Sequence, residues 1–373
     1  NIDLYVSVLG RPFDQGGAAA AGSFTDRYND FRPKKAWLAV NPAVVKQASD
    51  IDDNPRDLFE ILLHELFHAL GVTAKFAEYW INDDDPTKTN QAAGKNLLYS
   101  CQFPGINRKH EFVSNRVIKD FIKNRFGDDD FGLTVDNVIC PAGIEMEDSG
   151  GEGSAGSHPE LRAFPNDLMG AFRTEGQRSL ISILSLTLLN ATGYYEIDFS
   201  LQERMVFGEP ITNYNQPMKG FSIRPPQTAW PERYQCDAKK MGSETSTGWT
   251  ACYPDLRSLG RCERFQYKCP ANAVICNDLG FYDPLGTGYA GTDGVRDYVL
   301  TPTLSKSCSE FSSELINERQ YGATPSDYAV CMTSSLYRSE RAVEYKIGAC
   351  YTILCNEDYS NFTVHLYDGT KGV

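Results

Sequence analysis

The chain is 373 residues long, which at about 150 residues per domain points to two or three domains. With 41% hydrophobic and 23% charged residues it carries enough apolar side chain for a packed core, which excludes disorder over most of its length. A net charge of -13, from 49 acidic and 36 basic residues, leaves no basic face for a phosphate backbone, and no apolar run approaches the 18 or so residues that span a bilayer.

The chain opens at Asn1 with no charged and then apolar leader, so a removed leader or a trimmed start is expected. A first zone runs over residues 1–71. Ile2 to Leu9 is apolar and β-branched and reads as a strand; Ala36 to Val40 is a second, closed by Asn41-Pro42. A helix follows, with Asn54 as its cap and Pro55 at the first helical position. Leu58, Leu62, Leu66 and Leu70 repeat every four residues, and Phe59, Ile61, Leu63 and Phe67 widen the stripe, so the helix is expected to be largely buried. Gly71 ends it.

A second zone covers residues 72–213. It holds an expected helix from Glu111 to Phe126, with Val113, Val117, Ile118, Phe121 and Ile122 on one side. A Gly/Ser-rich loop from Ser149 to Ser157 and a helix near Leu180 to Leu189 come next. The third zone, residues 214–373, is rich in Cys, Tyr and Gly and reads as a loop-rich domain stapled by disulfides. Of the 11 cysteines, Cys101 and Cys140 lie mid-chain and nine fall between Cys236 and Cys355. No CxxC occurs, so a tetrathiolate zinc module is not expected. This pattern belongs to an oxidising compartment and predicts an extracellular or cell-surface location. The odd count leaves one cysteine over. Two sequons, at Asn190 and Asn361, agree with secretion.

The chemistry concentrates in the first helix, at His64-Glu65-Leu66-Phe67-His68. Residues four apart on a helix share a face, so both imidazoles can hold one zinc ion, with Glu65 beside them to take a proton from water on the metal. With five His and 21 Glu in the chain, chance supplies roughly 0.004 such motifs. The plainer reading, two satisfied core histidines, buries two imidazoles and a carboxylate in an otherwise apolar helix, which is costly without partners.

Catalytic zinc takes three protein ligands and a water. The remaining histidines are His110, His158 and His365. His158 is the candidate, at the end of a glycine-rich approach, Gly150 to His158. Met169 follows in Asn166-Asp167-Leu168-Met169-Gly170. His110, in Arg108-Lys109-His110-Glu111, is the rival and reads as a solvated surface histidine before a helix; His365 lies in a strand-like tail segment and is weaker. Gly286-Thr-Gly-Tyr-Ala-Gly291 has no strand before it and no helix after it, so it fails as a dinucleotide motif. Asp83 to Asp85 and Asp128 to Asp130 read as solvated loops.

With these blocks in place, the sequence resembles the leishmanolysins, surface metallopeptidases of the metzincin group. The resemblance is carried by His64-Glu-Leu-Phe-His68-Ala-Leu-Gly71, by Glu147 to His158 ending in Gly-Ser-His, and by Asp167-Leu-Met169 with Ser182 to Leu189 and Thr192-Gly-Tyr-Tyr195. Ala36 to Ala43 matches the strand before the active-site helix. Coverage runs from about Ala36 to Tyr195; the third zone is similar mainly in its cysteines. The third histidine follows the second by 90 positions, which leaves room between Gly71 and His158 for the insertion that marks the family, somewhat longer here than is typical. The family's inhibitory propeptide is not part of this sequence, which fits a mature or trimmed chain.

The resemblance implies an α+β fold. It comprises a metzincin-like catalytic module of mixed sheet and active-site helix, an inserted helical lobe, and a disulfide-rich, loop-rich C-terminal domain. It implies that His64, His68 and His158 bind one Zn2+, that Glu65 is general base and then acid to the leaving amine, and that Met169 supports the site. Polypeptides are the implied substrates, with surface or matrix proteins as further partners and no nucleic acid. The strand Ala36 to Val40 is expected to pair with an extended substrate. Two other readings stand beside this one. One is a surface binding or structural protein that keeps a protease fold with an occluded or inactive site. The other is a zinc hydrolase acting on something other than peptides.

Overall fold

The computed structural model describes residues 3–12, 20–42, 55–103, 109–128, 130–135, 138–149, 151, 154–172, 177–210, 215–236, 249–269, 276, 278–309, 323–334, 347–358 and 360–366. Three strands open the chain: β1 (Tyr5–Gly10), β2 (Ala20–Arg27) and β3 (Pro33–Val40). β3 lies between the other two. It runs parallel to β1, with Tyr5 opposite Lys35, and antiparallel to β2, with Ala20 opposite Val40. The two expected strands are β1 and β3. β2 escapes the sequence reading because Ala20-Ala-Gly-Ser carries no β-branched side chain until Thr25.

Helix α1 (Pro55–Ala69) packs across β2 and β3, where Ala36, Leu38 and Ala69 form a small buried cluster with Leu66 and Phe24 against it. The expected cap, Asn54, lies outside the described residues. The helix ends as expected at Gly71, whose φ of 101° needs glycine. Gly71 N–H donates to the His68 carbonyl and Val72 N–H to the Phe67 carbonyl, both at 3.0 Å. This paired closure folds the chain back, so Val72 returns to the helix it has just left.

Strands β4 (Leu98–Cys101), β5 (His110–Val113) and β6 (Ile144–Glu145) make an antiparallel sheet with β5 in the middle. Helix α2 (Arg116–Phe126) follows. The expected helix over Glu111 to Phe126 is therefore too long at its start. Residues 110–113 hydrogen-bond to strands on both sides, and Asn115 caps the helix by accepting from Ile118 N–H at 3.0 Å. Helix α3 (Ile183–Ala191) begins three residues later than expected, with Ser182 as cap; Leu180 instead exchanges hydrogen bonds with Asn166 and Leu168.

The largest buried cluster gathers Phe112, Phe126, Phe164, Leu184, Phe221 and Trp230, drawing together residues from both helices and from beyond residue 214. Further on, β7 (Trp249–Cys252), β8 (Ser258–Cys262) and β9 (Thr303–Ser307) form one small sheet. β10 (Ala329–Ser334), β11 (Ile347–Cys355) and β12 (Phe362–Val364) form another. Cysteines occupy much of the interior here: Cys252, Cys308, Cys331 and Cys350 share one buried cluster with Leu259 and Ala329. The pairs are Cys101–Cys140, Cys236–Cys262, Cys252–Cys331, Cys269–Cys276 and Cys308–Cys350, and the one left over is the exposed Cys355. The fold is thus a mixed α+β arrangement of small sheets with five disulfides. Among the described residues no helix is long and apolar enough to cross a membrane.

Candidate metal centre

α1 places His64 and His68 one turn apart on one face, and their Nε2 atoms lie 3.1 Å from each other. The turns of residues 154–158 bring in His158, whose Nε2 is 3.1 Å from that of His64 and 3.0 Å from that of His68. Each ring's other nitrogen is engaged by a backbone carbonyl. His64 Nδ1 meets Leu168 O at 2.6 Å, His68 Nδ1 meets Val72 O at 2.7 Å, and His158 Nδ1 meets Ser154 O at 3.1 Å. A carbonyl only accepts, so each Nδ1 carries the proton and each Nε2 presents a lone pair. Three lone pairs then converge on one point with no hydrogen among them, an arrangement that a cation resolves. Zinc–nitrogen bonds of about 2.0–2.1 Å at tetrahedral angles set nitrogens roughly 3.3 Å apart, so the three histidines fit zinc.

Burial holds the rings neutral. It lowers the pKa of His64, lowers that of His68 well below the usual value, and pushes His158 down to about 3. The positive charge that a neighbouring ring would carry lowers His68 and His158 further. Neutral imidazole is the form that ligates metal.

Glu65 sits beside His64 on α1 and is buried. Desolvation raises its pKa to about 7, and a hydrogen bond from Gly22 N–H opposes the rise. That bond exists because β2 crosses α1 at very close range. A Cβ on Gly22 would stand 2.3 Å from the Glu65 carbonyl oxygen. Only glycine permits the approach.

The carbonyls that aim the histidines come from three different local structures. Val72 is returned by the closure of α1. Ser154 belongs to the glycine-rich loop. Leu168 belongs to the turn that holds Met169, which is fully buried. Asp167 fastens this turn to the start of α3, accepting from the Ser182 and Ser185 hydroxyls at 2.5 and 2.7 Å and from Met169 N–H at 2.8 Å.

The structure therefore gathers His64, His68 and His158, with Glu65 adjacent in sequence and Met169 next to the carbonyl that holds His64. It does not bring in the other two histidines. His110 is not a solvated surface residue before a helix. It lies in β5, 2% exposed, stacked on Phe103, with Nδ1 2.8 Å from Glu145. His365 follows β12 and its N–H donates to Thr352 O. The strand expected to receive substrate is also corrected. β3 has both edges occupied, by β1 and β2, and cannot add another strand. Among the described residues the outer edges of β1 and β2 are both unpaired, and β2 is the one that touches Glu65. Sequence reasoning missed Gly22 and the Val72 carbonyl, neither of which carries a local signal; Asp167 stands in the Asp167-Leu-Met169 block, but its fastening role is visible only in the fold.

The leishmanolysin family model matches residues 1–372. The chain belongs to the leishmanolysin family. Leishmanolysin of Leishmania major is 24% identical over 378 residues, covering 98% of this chain and 53% of that protein. A leishmanolysin-like peptidase of Caenorhabditis elegans is 28% identical over 287 residues, 69% of this chain and 40% of that protein. One of Drosophila melanogaster is 26% identical over 169 residues, 41% of this chain and 24% of that protein. The chain thus spans about half, or less, of the length of these relatives. Leishmanolysins are zinc metallopeptidases, and among the described residues the histidine triad is a candidate site for that metal.

Proposed function

We propose that this protein is a zinc endopeptidase of the cell surface or extracellular space that cleaves extended polypeptides. The observation that carries the reading is the convergence of three Nε2 lone pairs, each ring fixed by a carbonyl, one helical position from a buried carboxylate. His64, His68 and His158 hold the ion. Zinc bound there supplies a Lewis acid that polarises the scissile carbonyl and acidifies water. Glu65 does the proton work. With a pKa near neutrality it accepts a proton from the attacking water and returns it to the leaving amine. Gly22 N–H keeps that carboxylate pointed and partly ionised. The open edge of β2 receives the substrate backbone as an added antiparallel strand, which lays the scissile bond along the helix that carries Glu65.

In this reading residues 1–71 and 72–213 build the catalytic parts, and residues 214–373, which carry four of the five disulfides, join the same core through Phe221, Trp230 and Tyr282. The five disulfides and the exposed sequon at Asn361 support an oxidising, secretory origin. The test is digestion of a quenched peptide library with and without a zinc chelator. Cleavage that the chelator abolishes and zinc restores is the expected result. Failure to cleave any peptide with zinc bound would replace this reading by that of a surface binding protein.

A further inference from the structure

A second group of candidate ligands flanks the loop that delivers His158. Glu147, Asp148 and Glu160 each offer one carboxylate oxygen, and these atoms lie within 4.8 Å of one another. Glu147 N–H donates to the His158 carbonyl at 2.8 Å, and Gly156 N–H donates to the Glu147 carbonyl at 2.7 Å. Glu160 lies two positions beyond His158, and Met146 bridges Pro159 between them. Glu147 and Glu160 are each 1% exposed.

The polar atoms here are not all satisfied. Glu147 Oε1 accepts from Ser149 N–H at 2.9 Å, and Leu161 N–H also favours the charged carboxylate, but Oε2 is buried with no hydrogen bond of good geometry among the described residues. Glu160 Oε1 accepts only a backbone N–H, that of Arg162, at 2.9 Å. Two further carboxylates act on the group: Asp297 on Glu147 and Glu160, and Glu145 on Glu160. The neighbouring guanidinium, Arg162, is already committed to those two. It bonds Glu145 at 2.5 Å and Asp297 at 3.0 Å. His110 also faces Glu145, at 2.8 Å, and lies 3.7 Å from Asp148. The carboxylates of Glu145, Glu147, Glu160 and Asp297 are thus all buried around the guanidinium of Arg162, an excess of one sign. Burying that excess of one sign is strongly unfavourable unless protons or a cation offset it.

We propose that Glu147, Asp148 and Glu160 form a second metal site, filled by calcium, that braces the loop carrying His158. The donors are all oxygen, which suits a hard cation and not zinc. Asp148 is the partly exposed member, and waters would complete calcium's six to eight ligands. His110, Glu145 and Asp297 also lie within 4.8 Å of one another, but Arg162 occupies the carboxylates of that trio, so it is not the site. Calcium on Glu147 and Glu160 ties the two strands of chain entering and leaving residue 158. Its loss loosens His158 and weakens zinc binding in turn. That bracing role rests on His158 as a zinc ligand; the calcium site itself does not.

The test uses the full chain, stripped of metal and reloaded with zinc alone, then titrated with Ca2+ by calorimetry while thermal unfolding is followed. One Ca2+ per chain is expected, bound more tightly than about 1 mM, the weak end for extracellular calcium modules, with a rise in Tm. Glu147→Gln, and Asp148→Asn as the milder variant at the partly exposed position, should weaken Ca2+ binding by at least about tenfold and shrink the Tm rise. No saturable Ca2+ binding by zinc-loaded protein would overturn the site while leaving the zinc reading intact. Saturation by Mg2+ but not Ca2+, or variants that bind Ca2+ as tightly as the wild type, would overturn it equally.

Discussion

Gly22→Ala should cripple the site although Gly22 ligates nothing. The added Cβ would lie 2.3 Å from the Glu65 carbonyl oxygen and 3.0 Å from its carbonyl carbon and its Cβ. Ordinary contact begins at 3.4 Å, so β2 and α1 must separate by about 1 Å. Both sides of the clash are backbone or its first side-chain atom, so no flexible group can yield. Overpacking of this kind costs about 1–3 kcal/mol, and a displacement of about 1 Å at a reacting group costs on the order of 10²-fold in rate. Separation also lengthens the Gly22 N–H bond to the Glu65 carboxylate. That bond opposes the effect of burial, so its loss lets the Glu65 pKa rise above about 7 and moves the acid limb of kcat/KM to higher pH. The assay is kcat/KM against pH on a quenched peptide, with zinc content and Tm measured alongside. Gly10→Ala is the control, because a Cβ there meets nothing within 4 Å. Unchanged kcat/KM and Tm in Gly22→Ala would refute the reasoning.

Asp167→Ala leaves the Ser182 and Ser185 hydroxyls and Met169 N–H without their acceptor; it should lower unfolding stability by about 2–4 kcal/mol and weaken zinc binding, and a loss under about 1 kcal/mol in denaturant unfolding would contradict its fastening role. Asn115→Ala removes the cap of α2 and the bond from Asn115 Nδ2 to Ala191 O at 3.0 Å, so stability should fall by about 1–2 kcal/mol with zinc content unchanged; loss of zinc in this variant would show that α2 matters to the site. Zinc affinity should be insensitive to mild acid. Ordinary histidines, with pKa near 6.5, each cost about tenfold in affinity per pH unit below that value, whereas burial lowers all three here and the rings stay neutral. Chelator competition between about pH 6.5 and 5.5 should show little change, and a steep loss there would mean the rings are exposed.

The sequence made the centre of the site legible because its signals are local. The His64–His68 spacing and the Gly71 stop lie within one helix, which periodicity reads well; the leucine stripe overstates burial, since Leu58, Leu62, Leu66 and Leu70 are half-buried and Phe59 is 63% exposed. His158 is read from its glycine-rich approach and the family resemblance; nothing in its own neighbourhood shows that it returns across 94 positions to within 3.1 Å of His64. β2 carries no β-branched side chain before Thr25, and its glycine at Gly22 answers to Glu65, 43 positions away, so nothing local marks it. Without β2, β3 reads as a free edge; pairing on both sides rules it out as the strand that receives substrate. His110 failed for the same reason. Its charged neighbours in sequence suggested solvent, while its partners Glu145 and Phe103 are supplied by the fold. The start of α2 was misread because Glu111-Phe-Val continues the apolar phase of the helix, and only pairing with β4 and β6 shows it to be a strand.

The central claim is that one zinc held by His64, His68 and His158 works with Glu65 as the proton carrier. The direct measurement is zinc content and kcat/KM in the same preparations of wild type and Glu65→Ala. The account predicts one zinc per chain in both and a loss of at least about 10²-fold in kcat/KM in the variant. Wild-type turnover by Glu65→Ala with its zinc in place would contradict it.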